Sequence, residues 1–175
     1  MTAGRESTSR TKDWCTPPEY VAAVRRVFCG TIHLDPCSNE HSVVRAELEI
    51  SPPADGLAVP WAYPTVYVNP PYGRDPARGT TIRDWLRKCS EAGAGGAEVL
   101  ALIPVATNTR HWRESVFTAA AICFLKVPRL RFMLGGSAAN RGAPMACAMV
   151  YWGDGFDRFR DVFRPFGAIL RCSDC

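Results

Sequence analysis

Apolar positions along this 175-residue chain fall into two spacings, and each spacing predicts an element. In PPEYVAAVRRVF, Tyr20, Val21, Val24, Val27 and Phe28 recur at three- and four-residue steps. They predict a helix running to about Phe28, with Thr16 as N-cap and Pro17 in the first helical position. Cys29-Gly30 ends it. TIHLD (31–35) reads as a short buried strand that Pro36 stops, and residues 36–60 read as loop, with ISPPADG strongly turn-forming. PTVYV (64–68) is a second strand that must leave its sheet at Asn69, because consecutive prolines cannot continue a central strand. Thr81 to Ala92 turns Ile82, Trp85 and Leu86 to one helical face. EVLALIP (98–104) is apolar almost throughout, the pattern of a parallel strand covered on both faces. TNTRHWRESVFTAA predicts a second crossover helix with Trp112 in the core, and AICFLKV (121–127) and MACAMVYW (145–152) predict two further strands.

Strand and helix alternating at these intervals imply an α/β fold with a mostly parallel sheet. The last strand follows a loop rather than a full helix, so a C-terminal antiparallel strand is expected. The length suits one domain; we place it at residues 13–170, between a disordered N-terminal tail (1–12) and a short tail (171–175). In such sheets ligands bind beyond the carboxyl ends of strands. Two motifs stand there: Asp35-Pro36-Cys37-Ser38 and Asn69-Pro70-Pro71-Tyr72.

Composition narrows the function classes. With 47% hydrophobic and 22% charged residues and a net charge of +4, the chain is an ordinary, mildly basic globular protein. No apolar run approaches the ~18 residues of a membrane span, and the N-terminus lacks a signal-peptide core. No membrane association and a reducing, cytoplasmic setting are therefore expected. There the single cysteines at 15, 29, 37, 89, 123 and 147 act as small core residues. Cys172 and Cys175 form a lone CxxC without the second ligand pair a zinc site needs, so no metal is expected. Charge is uneven: residues 13–61 carry net −4, residues 73–88 net +3 and residues 110–131 net +4. That division suits a cationic small ligand on one side and a polyanion on the other.

Asn69-Pro70-Pro71-Tyr72 carries the most specific chemistry. A rigid Pro-Pro turn at a strand end fixes the Asn69 side chain and the Pro70 carbonyl as two converging acceptors, with the planar Tyr72 beside them. Two acceptors and a stacking face recognise an exocyclic amino group on a flat heterocycle. Binding both amine hydrogens orients the nitrogen and raises its electron density, so that it can attack an electrophilic methyl without metal or covalent nucleophile. A base paired within a duplex reaches such a pocket only by flipping out.

The motif matches (D/N/S)PP(Y/F/W) of amino-group DNA methyltransferases, which use S-adenosylmethionine. The wider series DWCTPPEYV, HLDPCSNE, DGLAVPW, VYVNPPYG, LALIPVATNTRHW and RLRF, over residues 13 to 152, resembles the compact phage-type Dam family of DNA N6-adenine methyltransferases. The resemblance implies a single Rossmann-like domain that methylates the N6 amine of adenine in DNA, in a bacterial cytoplasm, with a phage as a natural carrier. Asn69, Pro70 and Tyr72 would then hold and stack the base, and Pro71 would set the turn. Asp35, with Pro36 and Cys37, would meet the cationic or ribose part of the cofactor, Thr16 and Pro17 its methionine end, and Asp55 its adenine amine. The glycine-rich loop of many methyltransferases is absent from DPCSNE. Arg74 and Arg78 beside the motif, and Lys126, Arg129 and Arg131 after a strand, are candidate DNA-phosphate contacts. Target recognition falls to the short loops 73–80 and 135–143, or to a homodimer that enlarges the DNA surface. An N4-cytosine or RNA substrate, and a non-catalytic DNA-binding module of the same fold, are the alternatives.

Overall fold

The alternation of side chains along the longest strand, β4 (Glu98–Pro104), divides the molecule into layers. Leu100 and Leu102 face one core, Val99, Ala101 and Ile103 the other, and all five are fully buried. The computed structural model describes residues 14–127, 129–134, 137, 138, 143 and 145–172. The expected tail at 1–12, Cys175 of the CxxC and most of the loop 135–143 lie outside the described residues.

Among the described residues, three α-helices, one π-helical turn and nine strands follow in the order α1 (Pro18–Val27), β1 (Leu34–Asp35), β2 (Leu48–Glu49), β3 (Thr65–Val68), α2 (Ile82–Ala94), β4, the π-helical turn (Trp112–Val116), β5 (Ala121–Leu125), β6 (Met133–Leu134), β7 (Ser137–Ala138), β8 (Cys147–Trp152), α3 (Phe156–Phe163) and β9 (Gly167–Arg171). Seven strands form one sheet ordered β2-β1-β3-β4-β8-β5-β9. The first four run parallel. β8 runs antiparallel between β4 and β5, and β9 antiparallel along β5. The mixed α/β sheet with a C-terminal antiparallel part is therefore as expected. α1 and α3 cover one face through Tyr20, Val24, Val27, Phe159 and Phe163. α2 covers the other through Ile82, Trp85, Leu86 and Cys89. Four of the seven described cysteines (Cys15, Cys89, Cys123 and Cys147) are buried, and all seven are free thiols.

Several boundaries differ from the sequence pattern, each for a packing reason. α1 starts at Pro18 with Pro17 as its N-cap, so Thr16 does not cap it. Its hydroxyl is taken by a 2.7 Å hydrogen bond with the Tyr67 hydroxyl. The strand expected over 31–35 is regular only at Leu34–Asp35, although Ile32 and His33 already bond to neighbouring segments, and that over 121–127 ends at Leu125. In place of a second crossover helix, 107–120 forms one short π-helical turn, Trp112–Val116. The turn serves to bury Trp112, which stacks on Phe124 (6.2 Å, 20°) and donates from Nε1 to the Pro104 carbonyl (3.2 Å). α3 and β9 went unread in the sequence, although Phe156, Phe159 and Phe163 lie at helical spacing. Arg171, expected to begin a tail, is the last residue of β9.

Candidate active site

β1 and β3 are parallel neighbours, with Leu34 opposite Val66. Their carboxyl ends therefore bring Asp35-Pro36-Cys37-Ser38 and Asn69-Pro70-Pro71-Tyr72 side by side. Asp35 is 4% exposed, and its Oδ1 accepts the Cys37 N–H at 3.1 Å. Burial pushes its carboxyl up to about 7; the Cys37 N–H opposes the shift and the Glu49 carboxylate adds to it. Glu49 lies opposite Asp35 in the β1–β2 register. Its carboxylate accepts the Ser38 hydroxyl (3.0 Å), the Ser42 hydroxyl (3.3 Å) and the Ala46 N–H (3.1 Å). Two acids thus end adjacent strands, a setting for a cationic or hydroxyl-rich ligand. Sequence reasoning missed Glu49, because a two-residue edge strand with an exposed Leu48 leaves no periodicity. The signal available was an acid in the short apolar run LEI just before ISPPADG.

A small cavity joins the two motifs. It is lined by Trp14, Thr16, Asp35, Cys37, Ser38 and Asn69, among others, and measures about 10 Å³, room for one water. Asn69 is half-buried at the end of β3, and its Nδ2 donates to the main-chain carbonyl of Trp14 at 3.3 Å. Tyr72 donates from its hydroxyl to the Leu102 carbonyl (3.3 Å) and meets Phe132 edge-on (5.9 Å, 72°). Phe132 in turn meets Trp14 edge-on (6.2 Å, 61°). Trp14 and Phe132 are thus site neighbours that the sequence did not single out.

The remaining candidates divide. Asp55 accepts the Leu57 N–H (3.0 Å) and pairs with Arg78 (3.5 Å). Its turn reaches the Asp35 motif through Gly56: a Cβ there would stand 1.7 Å from the Pro36 carbonyl oxygen. Pro17 and Pro36 are buried backbone supports beside the cavity, whereas Pro71 is exposed. Arg78 also pairs with Asp75 (3.2 Å), so two carboxylates hold it in the loop after Tyr72. Arg129 donates to the Ala143 carbonyl (3.0 Å), tying together the two sides of the segment that bears β6 and β7. Arg74, Lys126 and Arg131 are exposed on segments that leave the carboxyl ends of β3 and β5.

A second, wider groove of about 610 Å³ lies at the amino ends of β3 and β4, lined by Pro60, Trp61, Tyr63, Pro64, Lys88 and Gly95, among others. Its cation Lys88 is already bound by the Leu57 and Val59 carbonyls (2.5 Å each). Among the described residues no group of three or more His, Cys, Asp or Glu is gathered to hold a metal, and no helix is long and apolar enough to cross a membrane.

A family model described as DNA N-6-adenine-methyltransferase (Dam) matches residues 5–165. No match is found among curated proteins.

Proposed function

Since this chain belongs to the Dam family of DNA N6-adenine methyltransferases, we propose that Asn69, Pro70 and Tyr72 are the residues that hold the target adenine. The protein is an enzyme, it acts on DNA, and its family implies S-adenosylmethionine as methyl donor. We read the layered sheet and helices as one Rossmann-like methyltransferase domain over residues 13–170.

One observation carries this reading. Asn69, an amide at a strand end, lines the same cavity as the buried acid Asp35. The residues around that cavity fit the donor's chemistry: the Asp35 and Glu49 carboxylates suit its ammonium and ribose hydroxyls, and Thr16 and Cys37 stand beside them. We assign Asp55, in the turn whose Gly56 packs on Pro36, the role of accepting an adenine amine. Bound there, S-adenosylmethionine supplies an electrophilic methyl on a positively charged sulfur. Asn69 Oδ1 and the Pro70 carbonyl accept the two hydrogens of the target N6 amine, which aims the nitrogen lone pair and raises its electron density. Transfer would form the N6–methyl bond as the donor's methyl–sulfur bond breaks, leaving S-adenosylhomocysteine as the neutral thioether; the amine would release one proton to solvent, and the two acceptors would stabilise the charge that builds on nitrogen. Tyr72 offers its ring to the base, which has left the duplex stack. The exposed Arg74, Lys126 and Arg131 contact phosphates. Arg78 and Arg129 hold the loops that carry them.

Incubating the wild type and Asn69→Ala with mixed-sequence DNA and labelled S-adenosylmethionine, then identifying the nucleosides by mass, tests the reading. N6-methyladenine from the wild type, and a fall of roughly 100-fold or more in Asn69→Ala with cofactor binding retained, is the expected result. N4-methylcytosine would overturn the assignment of the base, and an Asn69→Ala enzyme of full activity the assignment of the residue.

A further inference from the structure

The N-terminal segment Trp14–Thr16 crosses the site as a strap, and three contacts fix it. Cys15 and Met133 exchange main-chain hydrogen bonds, Cys15 N–H to the Met133 carbonyl (2.9 Å) and Met133 N–H to the Cys15 carbonyl (2.8 Å). The Thr16 hydroxyl is bonded to Tyr67 on β3 (2.7 Å). The Cys15 thiol donates to Asn39 Oδ1 and to the His41 carbonyl (3.3 Å each). Anchored on both sides, the strap presents the Trp14 carbonyl to Asn69 Nδ2. A carbonyl oxygen can only accept. It therefore faces the amide nitrogen of Asn69 and leaves Oδ1 turned away from the strap.

We propose that the main-chain carbonyl of Trp14 is a positioning group for methyl transfer: it fixes the Asn69 amide with Oδ1 toward the incoming amine, and so commits position 69 of this chain to an amide rather than a carboxylate. This rests on the reading of Asn69 given above. The wider motif admits aspartate at this position, but here one carboxylate oxygen would meet the Trp14 carbonyl with no hydrogen between them. A protonated carboxyl restores the match, because its O–H donates to Trp14 and its other oxygen still accepts from the amine.

The test is Asn69→Asp beside the wild type, with DNA and S-adenosylmethionine saturating, across pH 5.5 to 8.5. At pH 8.5 the kcat of Asn69→Asp falls to within about threefold of Asn69→Ala, while cofactor affinity stays within about threefold of the wild type, a fall of this kind being expected when one positioned polar contact is lost. As pH drops to 5.5, the ratio of its kcat to the wild-type kcat rises by about tenfold or more, following protonation of a half-buried acid beside the Asp35 carboxyl. The titratable groups lining the cavity with position 69 are Cys15 on the strap, Asp35 at the end of β1 and Cys37 just beyond it; Tyr67 and Tyr72 lie two residues before and three after it in the chain, and Glu49 lies beside Asp35. Burial holds Cys37, Tyr67 and Tyr72 neutral well above this range. Burial pushes the Asp35 carboxyl up to about 7 in the ligand-free protein, so each kcat is read against that of the wild type at the same pH.

A second variant leaves position 69 intact. Met133→Pro removes the N–H that the Cys15 carbonyl accepts, and is expected to lower kcat about fivefold or more with the KM for S-adenosylmethionine unchanged, since one anchor of the positioned group is lost. A pH-independent ratio for Asn69→Asp, or wild-type kcat in Met133→Pro, overturns the proposal while the assignment of Asn69 stands. Wild-type enzyme that makes no N6-methyladenine overturns both.

Discussion

Asp35 is a carboxyl whose function and stability pull in opposite directions. Its ordinary value of 3.8 is raised to about 7 in the folded protein. Between those values the folded chain binds more protons than the unfolded one, so stability falls as pH rises from about 4 to about 7 and is level above. Asp35→Asn should therefore raise the melting temperature at pH 8 and leave it nearly unchanged at pH 4, as a calorimetric scan at each pH will show. The same variant removes the charge that meets a cationic ligand. We expect its affinity for S-adenosylmethionine to drop roughly 10- to 100-fold, the worth of a charge-assisted hydrogen bond. In the wild type, affinity measured by calorimetry should weaken by up to about tenfold per pH unit below 7, as Asp35 takes up its proton. Asp35 was legible because a buried-looking strand stops at Asp-Pro. Glu49 and the Trp14 carbonyl were not, since one acts from a two-residue strand and the other is main chain, which no side-chain pattern encodes.

Among the elements, the turn at Asp55-Gly56-Leu57 shows how a loop is seated on a strand end. Gly56 is buried against the Pro36 carbonyl, and Trp61 donates from Nε1 to the Gly56 carbonyl (2.8 Å). A methyl group cannot fit into a 1.7 Å gap to a backbone oxygen, so Gly56→Ala must push the turn away from the Asp35 motif. The expected cost is about 1–3 kcal/mol of stability. Weaker cofactor binding should accompany it, because Asp55 and Cys37 separate; thermal melts with and without S-adenosylmethionine measure both effects. The elements read most faithfully were those with the most buried repeats, β4 and the start of α2. Thr81 caps α2 by donating both its N–H (2.9 Å) and its hydroxyl (3.2 Å) to Asp84. In the segment 107–120 the helical spacing of Trp112, Val116 and Ala119 yields to the ring contacts of Trp112 with Phe117 and Phe124. α3 was passed over despite its clear apolar face, since a short charged segment after a loop gives little to separate it from a surface turn.

At the scale of the whole molecule, Arg74, Lys126 and Arg131 are exposed on segments that leave the carboxyl ends of β3 and β5, while the acid Asp35 lines the cavity. If Arg74, Lys126 and Arg131 each meet a phosphate, changing any one to Ala should weaken binding to all DNA sequences alike. Each change should also reduce the slope of log affinity against log salt by about one, read by fluorescence anisotropy from 50 to 300 mM salt, a span over which about six to ten such contacts would change affinity by orders of magnitude. Arg78→Ala and Arg129→Ala should alter that slope less, because Asp55, Asp75 and the Ala143 carbonyl already engage those groups. The sequence by itself determined the layered α/β class, the two strand-end motifs and the reaction they imply. Period-two burial, proline stops and the acceptor chemistry of Asn69 and Pro70 are all local properties of the chain. Only the tertiary structure decided which groups share the cavity. Strand order set Glu49 beside Asp35, the Cys15–Met133 pairing laid the N-terminal strap over Asn69, and the Tyr67 hydroxyl drew Thr16 away from the helix it was expected to cap. Those contacts join residues 14, 51 and more than 100 positions apart in sequence, and no spacing rule reaches across such a distance.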